Sequence, residues 1–382
     1  MKVVLVSSLV ILGFGVFGAV LGYVVSFVVA GVAGTLLLWL FCRGFRDSPL
    51  QSSSLTREAA AGGGGDGLGT LLRYGLPLSI ASIIGSFQTQ FYTVLMGVYA
   101  TTVAVGNYAI ASTFVVLITF FATPISTMLF PAFSKLDVNR DYDALKSAFQ
   151  FSVKYASLLV VPVAVIVMSL SQPAVSTLFG SKYGSAPFFL SLLAVSYLSC
   201  AFGNLSLGNL ISSQGDTRFN LYLTAVTAVV GFPLGVVLAQ MYGVVGVILA
   251  IVTAGLPSLV IGLWWVRKRY RLSAGFGPSV KILLVSALSG LVAFLVQRQL
   301  GLASVLNLVM GLAAFVVVFF PGIVITGAIN RVDVENLRTM TASLGPVSRL
   351  SNSALALIEK LLSLMNRYAR EKDVTLPQGS SL

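Results

Sequence analysis

Long stretches without any charged residue alternate with short polar segments along this chain. No Asp, Glu, Lys or Arg occurs in 75–132 or in 219–266, and Arg298 is the only charged residue in 282–330. An unpaired charge at the centre of a bilayer costs at least about 2.5 kcal/mol, so charge-free apolar runs of this length are typical of membrane-spanning segments. The pattern therefore predicts an all-α fold, a polytopic membrane helical bundle.

A spanning helix requires about 20 predominantly apolar residues, and this length divides the chain into about ten predicted transmembrane helices. Their predicted bounds are 3–20, 22–42, 72–98, 103–132, 150–171, 184–212, 219–241, 244–266, 279–297 and 302–327. The first two come from one apolar run, which we interpret as a hairpin with its turn at Gly18–Gly22. A signal peptide is the alternative, but the apolar run continues to Phe41 without a clear small-residue cleavage site.

The connections between these helices differ in charge, and this difference predicts the topology. Of the 24 Lys and Arg residues, all except Lys182 and Arg298 lie in or beside one alternating set of connections and the chain ends. Short loops that are rich in Lys and Arg remain cytoplasmic. We therefore expect a multi-pass protein of the cytoplasmic membrane with both termini in the cytoplasm. The net charge of +12 follows from the same bias and requires no nucleic acid partner.

Two segments outside the predicted spans have a different composition. Residues 43–71 contain runs of Ser and Gly, which favour a flexible cytoplasmic linker. In the tail that begins at residue 328, Leu, Ile and Met recur at helical spacing over 354–365, with Lys and Arg on the remaining face and at its end. This pattern predicts a basic amphipathic helix on the membrane surface, with binding to a partner as the alternative.

Few residues of this chain could perform acid, base or metal chemistry. There is no His, and every Asp and Glu lies in a predicted cytoplasmic loop or in the tail. Cys42 and Cys200 lie far apart in apolar runs, so neither a disulfide nor a metal site is expected. No nucleophile or general base is recognisable, and no cofactor is implied. We therefore do not expect an enzyme.

Amide and hydroxyl side chains within the spans are the remaining candidates for a binding site. Gln88, Gln90 and Tyr92 cluster in the third predicted helix, and Asn204 lies in the sixth. An uncharged polar side chain in a membrane helix either hydrogen-bonds a neighbouring helix or lines a wet cavity. Gln88 and Tyr92 are four residues apart and share one helix face. Because the cluster is dense, we expect it to line a cavity.

Six short strings at the ends of the predicted helices complete the pattern. They are Arg73-Tyr74-Gly75-Leu76-Pro77-Leu78, Val105-Gly106-Asn107-Tyr108, Leu129-Phe130-Pro131-Ala132-Phe133-Ser134-Lys135, Leu178-Phe179-Gly180 with Lys182-Tyr183, Ser213-Gln214-Gly215-Asp216-Thr217-Arg218 and Tyr242-Gly243-Val244-Val245-Gly246-Val247. In order and spacing they resemble the polysaccharide biosynthesis flippases of the multidrug/oligosaccharidyl-lipid/polysaccharide superfamily. The resemblance covers about residues 10–330.

This resemblance implies a domain plan. Proteins of this superfamily have two helical lobes that face a central cavity. By the resemblance, 72–266 would be a MATE-like, six-helix C-terminal lobe and 267–327 an extra C-terminal helix pair. Residues 1–42 would be the last hairpin of an N-terminal lobe whose first four spans are absent, and 328–382 would be a cytoplasmic tail.

The resemblance also implies a function, the flipping of lipid-linked oligosaccharide or polysaccharide precursors across the cytoplasmic membrane. The implied partners are a polyisoprenoid-linked glycan, membrane lipids and glycan-assembly enzymes. We expect the substrate cavity to be lined by Gln88, Gln90, Tyr92 and Asn204. Arg73 and Lys154 are expected to attract a phosphate or pyrophosphate, with snorkelling to lipid headgroups as their alternative role.

Three other functions are weighed against this one. A cation-coupled multidrug exporter of the same superfamily would use an intramembrane carboxylate, and the predicted spans contain none. An integral-membrane glycosyltransferase would need acidic residues or His at the membrane interface together with a large outer loop. A non-transporting, truncated remnant is the third alternative and follows from the missing spans.

Overall fold

The computed structural model describes residues 7–9, 13–46, 66–300, 303–330, 333–336, 338, 356 and 359. Regular structure within these residues is helical. In chain order the helices are α1 (Gly15–Arg46), α2 (Asp66–Tyr99), α3 (Thr102–Ser134), α4 (Tyr142–Ser169), α5 (Ser171–Phe179), α6 (Ala186–Val195), α7 (Asn204–Ser213), α8 (Thr217–Tyr242), α9 (Val244–Tyr270), α10 (Gly277–Leu300) and α11 (Ser304–Ile325). A 3-10 helix, η1 (Ser196–Phe202), lies between α6 and α7.

Among the described residues, six helices are long and apolar enough to cross a membrane, namely α3, α4, α8, α9, α10 and α11. The bent pair formed by α6 with η1 and α7 would make a seventh span. Each of these seven overlaps one of the ten predicted spans, while the predicted spans 3–20, 22–42 and 72–98 are not matched by such a helix among the described residues. The prediction of a polytopic helical membrane bundle is therefore confirmed.

The chain divides into two compact units, Met1–Thr70 and Leu71–Leu382. In the first unit the predicted hairpin turn is wrong in position, because Gly18–Gly22 lies inside the continuous helix α1. Two glycines with left-handed backbone, Gly13 (φ 91°) and Gly15 (φ 51°), instead mark the start of this helix. The backbone of Leu9 lies against Gly18, where an added Cβ would be 2.9 Å from its carbonyl oxygen.

In the second unit, the predicted sixth span is broken. The axis bends by 52° between η1 and α7, and Gly203 at the break has a left-handed φ of 82°. The hydroxyl of Ser157 on α4 donates to the Cys200 carbonyl at 3.3 Å, so a neighbouring helix satisfies part of the backbone at the break. The outer connection predicted at 172–183 is also not all loop, since α5 occupies its first part.

Helix α4 lies at the centre of the second unit. In the most apolar 18-residue stretch of α4, 72% of the residues are buried, against 17% in that of α3 and 22% in that of α8. Helices α3, α6 and α10 pack around α4, while α8 pairs with α9 and α10 with α11. Most of the predicted linker 43–71 and of the predicted tail helix 354–365 lies outside the described residues.

Candidate functional site

Burial divides the side chains of α2 into three faces. The most buried residues are Ala81, Gln88, Tyr92, Leu95 and Met96. An exposed apolar face consists of Leu72, Leu76, Ile80, Ile83, Phe87, Val94 and Val98. A second exposed face, called here the polar stripe, consists of Ser79, Ser82, Ser86, Thr89, Gln90 and Thr93. Spacings of three and four residues keep each set on one side of the helix.

The buried face of α2 packs against α8 and is joined to it by hydrogen bonds. The Nε2 of Gln88 donates to the Tyr92 hydroxyl at 2.9 Å and to the Thr227 carbonyl at 3.4 Å. The Thr227 hydroxyl lies 2.7 Å from that of Ser258 on α9. Polar side chains that hydrogen-bond between helices in this way commonly stabilise the packing of membrane helix bundles.

Two glycines on α8 make room for this contact. A Cβ added to Gly231 would lie 2.3 Å from Gln88 Nε2 and 2.5 Å from the Tyr92 hydroxyl oxygen. One added to Gly235 would lie 2.9 Å from a Tyr92 ring carbon. The two glycines are four residues apart, a small-residue spacing that allows close helix approach in membranes. This spacing is visible in the sequence and could have identified the partner of Gln88 and Tyr92.

The expectation that Gln88 and Tyr92 line a wet cavity is therefore revised, because both side chains are used for contact between helices. Their exposed fractions are 8% and 6%. Gln90, from the same predicted cluster, is exposed and lies on the polar stripe instead. The structure thus separates the cluster into two buried residues and one exposed residue.

The polar stripe requires a polar environment. The hydroxyls of Thr89 and Thr93 donate to backbone carbonyls of α2 itself, at 3.0 and 3.1 Å. The three serines and Gln90 are exposed. An unsatisfied polar group in hydrocarbon costs several kcal/mol, so the polar stripe is suited to water or to a polar ligand. The same residues explain why α2, although 34 residues long, is not among the described helices that are apolar enough to cross a membrane by composition alone, unlike the predicted span 72–98.

The other predicted site residues lie apart from the polar stripe. Asn204 is exposed at the start of α7, and its Nδ2 donates to the Ser199 hydroxyl at 3.1 Å. Arg73 is exposed near the start of α2. Lys154 on α4 forms an ion pair with Asp333 at 2.5 Å, and their side chains are 12% and 4% exposed. Because Asp333 neutralises Lys154, the predicted phosphate attraction is not available to this lysine in the structure.

The short strings found at the helix ends hold those ends together. The Nε2 of Gln214 donates to the carbonyls of Phe133 (3.2 Å) and Leu136 (2.9 Å), which joins two of the strings. The Oδ1 of Asn107 accepts from the backbone N–H of Ala186 at 3.0 Å, at the start of α6. The Tyr74 hydroxyl donates to a carbonyl at the end of α7. The residues of these strings that form such hydrogen bonds therefore have structural roles.

Comparison with known proteins shows similarity to proteins of glycan biosynthesis. A family model described as polysaccharide biosynthesis protein matches residues 1–187. The chain is 22% identical over 181 residues to the probable low-salt glycan biosynthesis flippase Agl15 of Haloferax volcanii, covering 47% of this chain and 38% of that protein. It is 26% identical over 191 residues to the lipopolysaccharide biosynthesis protein WzxC of Escherichia coli, covering 50% of this chain and 38% of that protein.

The fold is similar to that of a solved flippase. The lipid II flippase MurJ, in an inward closed conformation, matches with a TM-score of 0.56 at 13% identity, over 83% of this chain and 64% of that one. At this identity the likeness concerns the fold. Together the family model and these relatives confirm the resemblance to polysaccharide biosynthesis proteins, a flippase among them. The chain spans less than half the length of Agl15 and of WzxC.

Proposed function

We propose that this chain takes part in flipping lipid-linked oligosaccharide or polysaccharide precursors across the cytoplasmic membrane. The polar stripe of α2 would form one wall of the path taken by the sugar headgroup. Its exposure on a helix of membrane-spanning length is the observation that carries this proposal. The relatives named above, which are flippases or glycan biosynthesis proteins, support it.

The two exposed faces of α2 match the two parts of such a substrate. Sugars present many hydroxyl groups, and the Ser, Thr and Gln side chains of the polar stripe can exchange hydrogen bonds with them without carrying charge. The polyisoprenoid is apolar and would remain in lipid against the neighbouring apolar face, for example at Ile83 and Phe87, both exposed. An amphiphile can therefore lie along a single helix with each part in a suitable environment.

The proposed set of binding residues differs from the expected one. Gln90 is retained and is joined by Ser79, Ser82 and Ser86. Arg73 is proposed to attract the phosphate between sugar and lipid, since it is exposed and precedes Leu76 of the apolar face by three residues. Asn204 remains a proposed cavity residue. Lys154 is no longer included, because Asp333 neutralises it.

Site-specific photo-crosslinking tests the proposed path. A photoreactive amino acid at Ser86 or Gln90 should capture a polyisoprenoid-linked oligosaccharide that is radiolabelled in its sugar, in membranes containing the full chain. Val260 on α9 is the control, since it is 65% exposed on another helix. Excess unlabelled substrate should abolish the signal at Ser86 and Gln90. Equal capture at Val260 would contradict the proposed wall.

The orientation of the chain is also a proposal. We infer that the basic end of the bundle, at the end of α9, faces the cytoplasm, because Lys and Arg are retained on that side. Ser273 and Ser181 are both exposed, next to different ends of the spans. A cysteine at Ser181 should be labelled in intact cells by an impermeant thiol reagent, and one at Ser273 only after permeabilisation. The opposite result would reverse the orientation. Glycan-assembly enzymes remain proposed partners on the cytoplasmic side.

A further inference from the structure

An open pocket of about 450 Å³ lies at the basic end of the bundle, away from the polar stripe. Its walls are the end of α9, the loop that follows it, and Phe149 of α4. Ligand pockets typically have volumes of about 300–1,000 Å³. The lining is mainly apolar, with Leu263, Trp264 and Phe276 among its residues and Arg267 as its charged member.

The wall of this pocket is held in place by α4. The Tyr142 hydroxyl donates to the Arg271 carbonyl at 2.9 Å, and the Gln150 Nε2 donates to the Ser273 carbonyl at 3.1 Å. The side chains of Leu272 and Ala274 are buried in the core. The loop is therefore anchored at several points.

The rim of the pocket is basic and resembles a membrane interface. Arg267 is followed by Lys268 and Arg269, and all three are exposed. The Nζ of Lys268 lies 5.0 Å from the centre of the Trp264 ring, which is itself 58% exposed. Trp at the headgroup level next to Lys or Arg is typical of the membrane–water boundary. The pocket thus combines an apolar interior with cations at its rim.

We propose that this pocket binds one anionic phospholipid, with its phosphate at Arg267 and the start of an acyl chain against Trp264 and Phe276. The choice of occupant follows from charge, because a basic rim complements a phosphate. The predicted tail helix over 354–365 carries one Glu and one Lys, so it offers no net negative charge to the basic rim and is a less suitable occupant than a phospholipid. This proposal does not depend on the proposed flipping function.

Competitive lipid binding tests this site. The delipidated full chain in neutral detergent is mixed with equal amounts of phosphatidylglycerol and phosphatidylcholine that have the same acyl chains, and bound lipid is read by native mass spectrometry. We expect about a fivefold preference for phosphatidylglycerol, the factor that one basic residue near an anionic headgroup contributes. Arg267→Gln should remove the preference, and Arg267→Lys should restore most of it.

Matched variants separate this site from general surface charge. Arg269→Gln removes a charge from the same basic run outside the pocket lining, so it should keep the preference. Ser273→Phe, at an exposed lining position, should reduce the binding of both lipids. Equal binding of the two lipids by the unmodified chain, or an equal effect of Arg269→Gln and Arg267→Gln, would overturn the proposal.

Two further binding experiments identify what occupies the pocket. Glycerol 1-phosphate, which carries the phosphate without acyl chains, should not displace phosphatidylglycerol at equal concentration. Displacement would assign the site to a soluble phosphate and contradict the lipid proposal. A chain without residues 340–382 should bind phosphatidylglycerol as the full chain does. Increased binding on this deletion would show that the tail normally occupies the pocket.

Discussion

The buried and exposed polar residues of α2 resemble each other in type but differ in their surroundings. Gln88 and Tyr92 are covered by α8 and joined to it by hydrogen bonds, while Gln90 and Ser86, each two residues from Gln88 and on the other side of the helix, are exposed. Nothing in their chemistry predicts this division. The presence or absence of a closely packed neighbour decides whether a polar side chain in a membrane helix holds the bundle together or remains available for a substrate.

The largest expected effect concerns the close approach of α8 to the buried face. Gly231→Ala would place a methyl group 2.5 Å from the Tyr92 hydroxyl oxygen and 2.3 Å from Gln88 Nε2. Both atoms lie at the ends of side chains that can shift, so we expect a cost of about 1 kcal/mol, the lower end of the range for overpacking. We expect a clear loss of thermal stability in detergent, measured by the unfolding temperature.

The control for this substitution is Gly85→Ala on α2 itself, where an added Cβ has no heavy atom within 4 Å among the described residues. It should leave stability unchanged or raise it by up to about 1 kcal/mol, since Ala favours a helix over Gly. If Gly231→Ala were as stable as Gly85→Ala, the two faces of α2 would not differ as described.

A smaller effect is expected from the hydrogen bonds of the buried face. Tyr92→Phe leaves the ring in place and removes the hydroxyl that accepts from Gln88. Hydrogen bonds between side chains in membrane bundles contribute about 0.6 kcal/mol on average and up to about 1.7 kcal/mol. A double-mutant cycle with Gln88→Leu should give a coupling energy in this range. Additive losses would show that the two side chains do not act as a pair.

The smallest effect on stability is expected on the polar stripe. Ser86→Ala and Gln90→Ala remove exposed groups and should change the free energy of unfolding by less than about 0.5 kcal/mol. The same substitutions should reduce photo-crosslinking of the sugar-labelled lipid at neighbouring Ser82, because hydrogen bonds to the headgroup are lost. Undiminished crosslinking at Ser82 with both residues replaced would show that the polar stripe is not part of the proposed path.

Seven of the ten predicted spans correspond to described helices that are long and apolar enough to cross a membrane, counting the bent pair as one. These spans were predictable because the bilayer excludes charge, and charge-free runs are visible without any structure. Sequence patterns did not predict which faces are buried. Helices α3 and α4 are almost equally apolar, yet 17% and 72% of the residues in their most apolar stretches are buried. Lipid and protein interior are both apolar, so hydropathy does not distinguish a lipid-facing helix from a central one.

Contacts between distant segments, which the hydropathy pattern does not contain, also explain the other differences between the predictions and the structure. The break at Gly203 lies within a continuous apolar pattern, and its stabilising contact comes from Ser157, distant in sequence. Whether the Gln88 side chain faces a neighbouring helix or a cavity depends on α8, where Gly231 and Gly235 leave room for Gln88 and Tyr92. Lys154 was interpreted as an available cation because its partner, Asp333, is 179 residues away. In each case a contact between distant segments decided the outcome.

Thiol accessibility along α2 tests the central claim most directly. Single cysteines are placed at Ser86, Gln90, Gln88 and Leu95 in a chain with Cys42 and Cys200 replaced by Ala, and reaction rates with a small water-soluble reagent are measured in membranes. Reactivity requires access of water and reagent to the thiol, so cysteines at Ser86 and Gln90 should react at least about tenfold faster than those at Gln88 and Leu95. Equal rates at Gln88 and Gln90, or inertness at all four positions, would contradict the assignment of α2 as a helix with one wet polar face and one packed polar face.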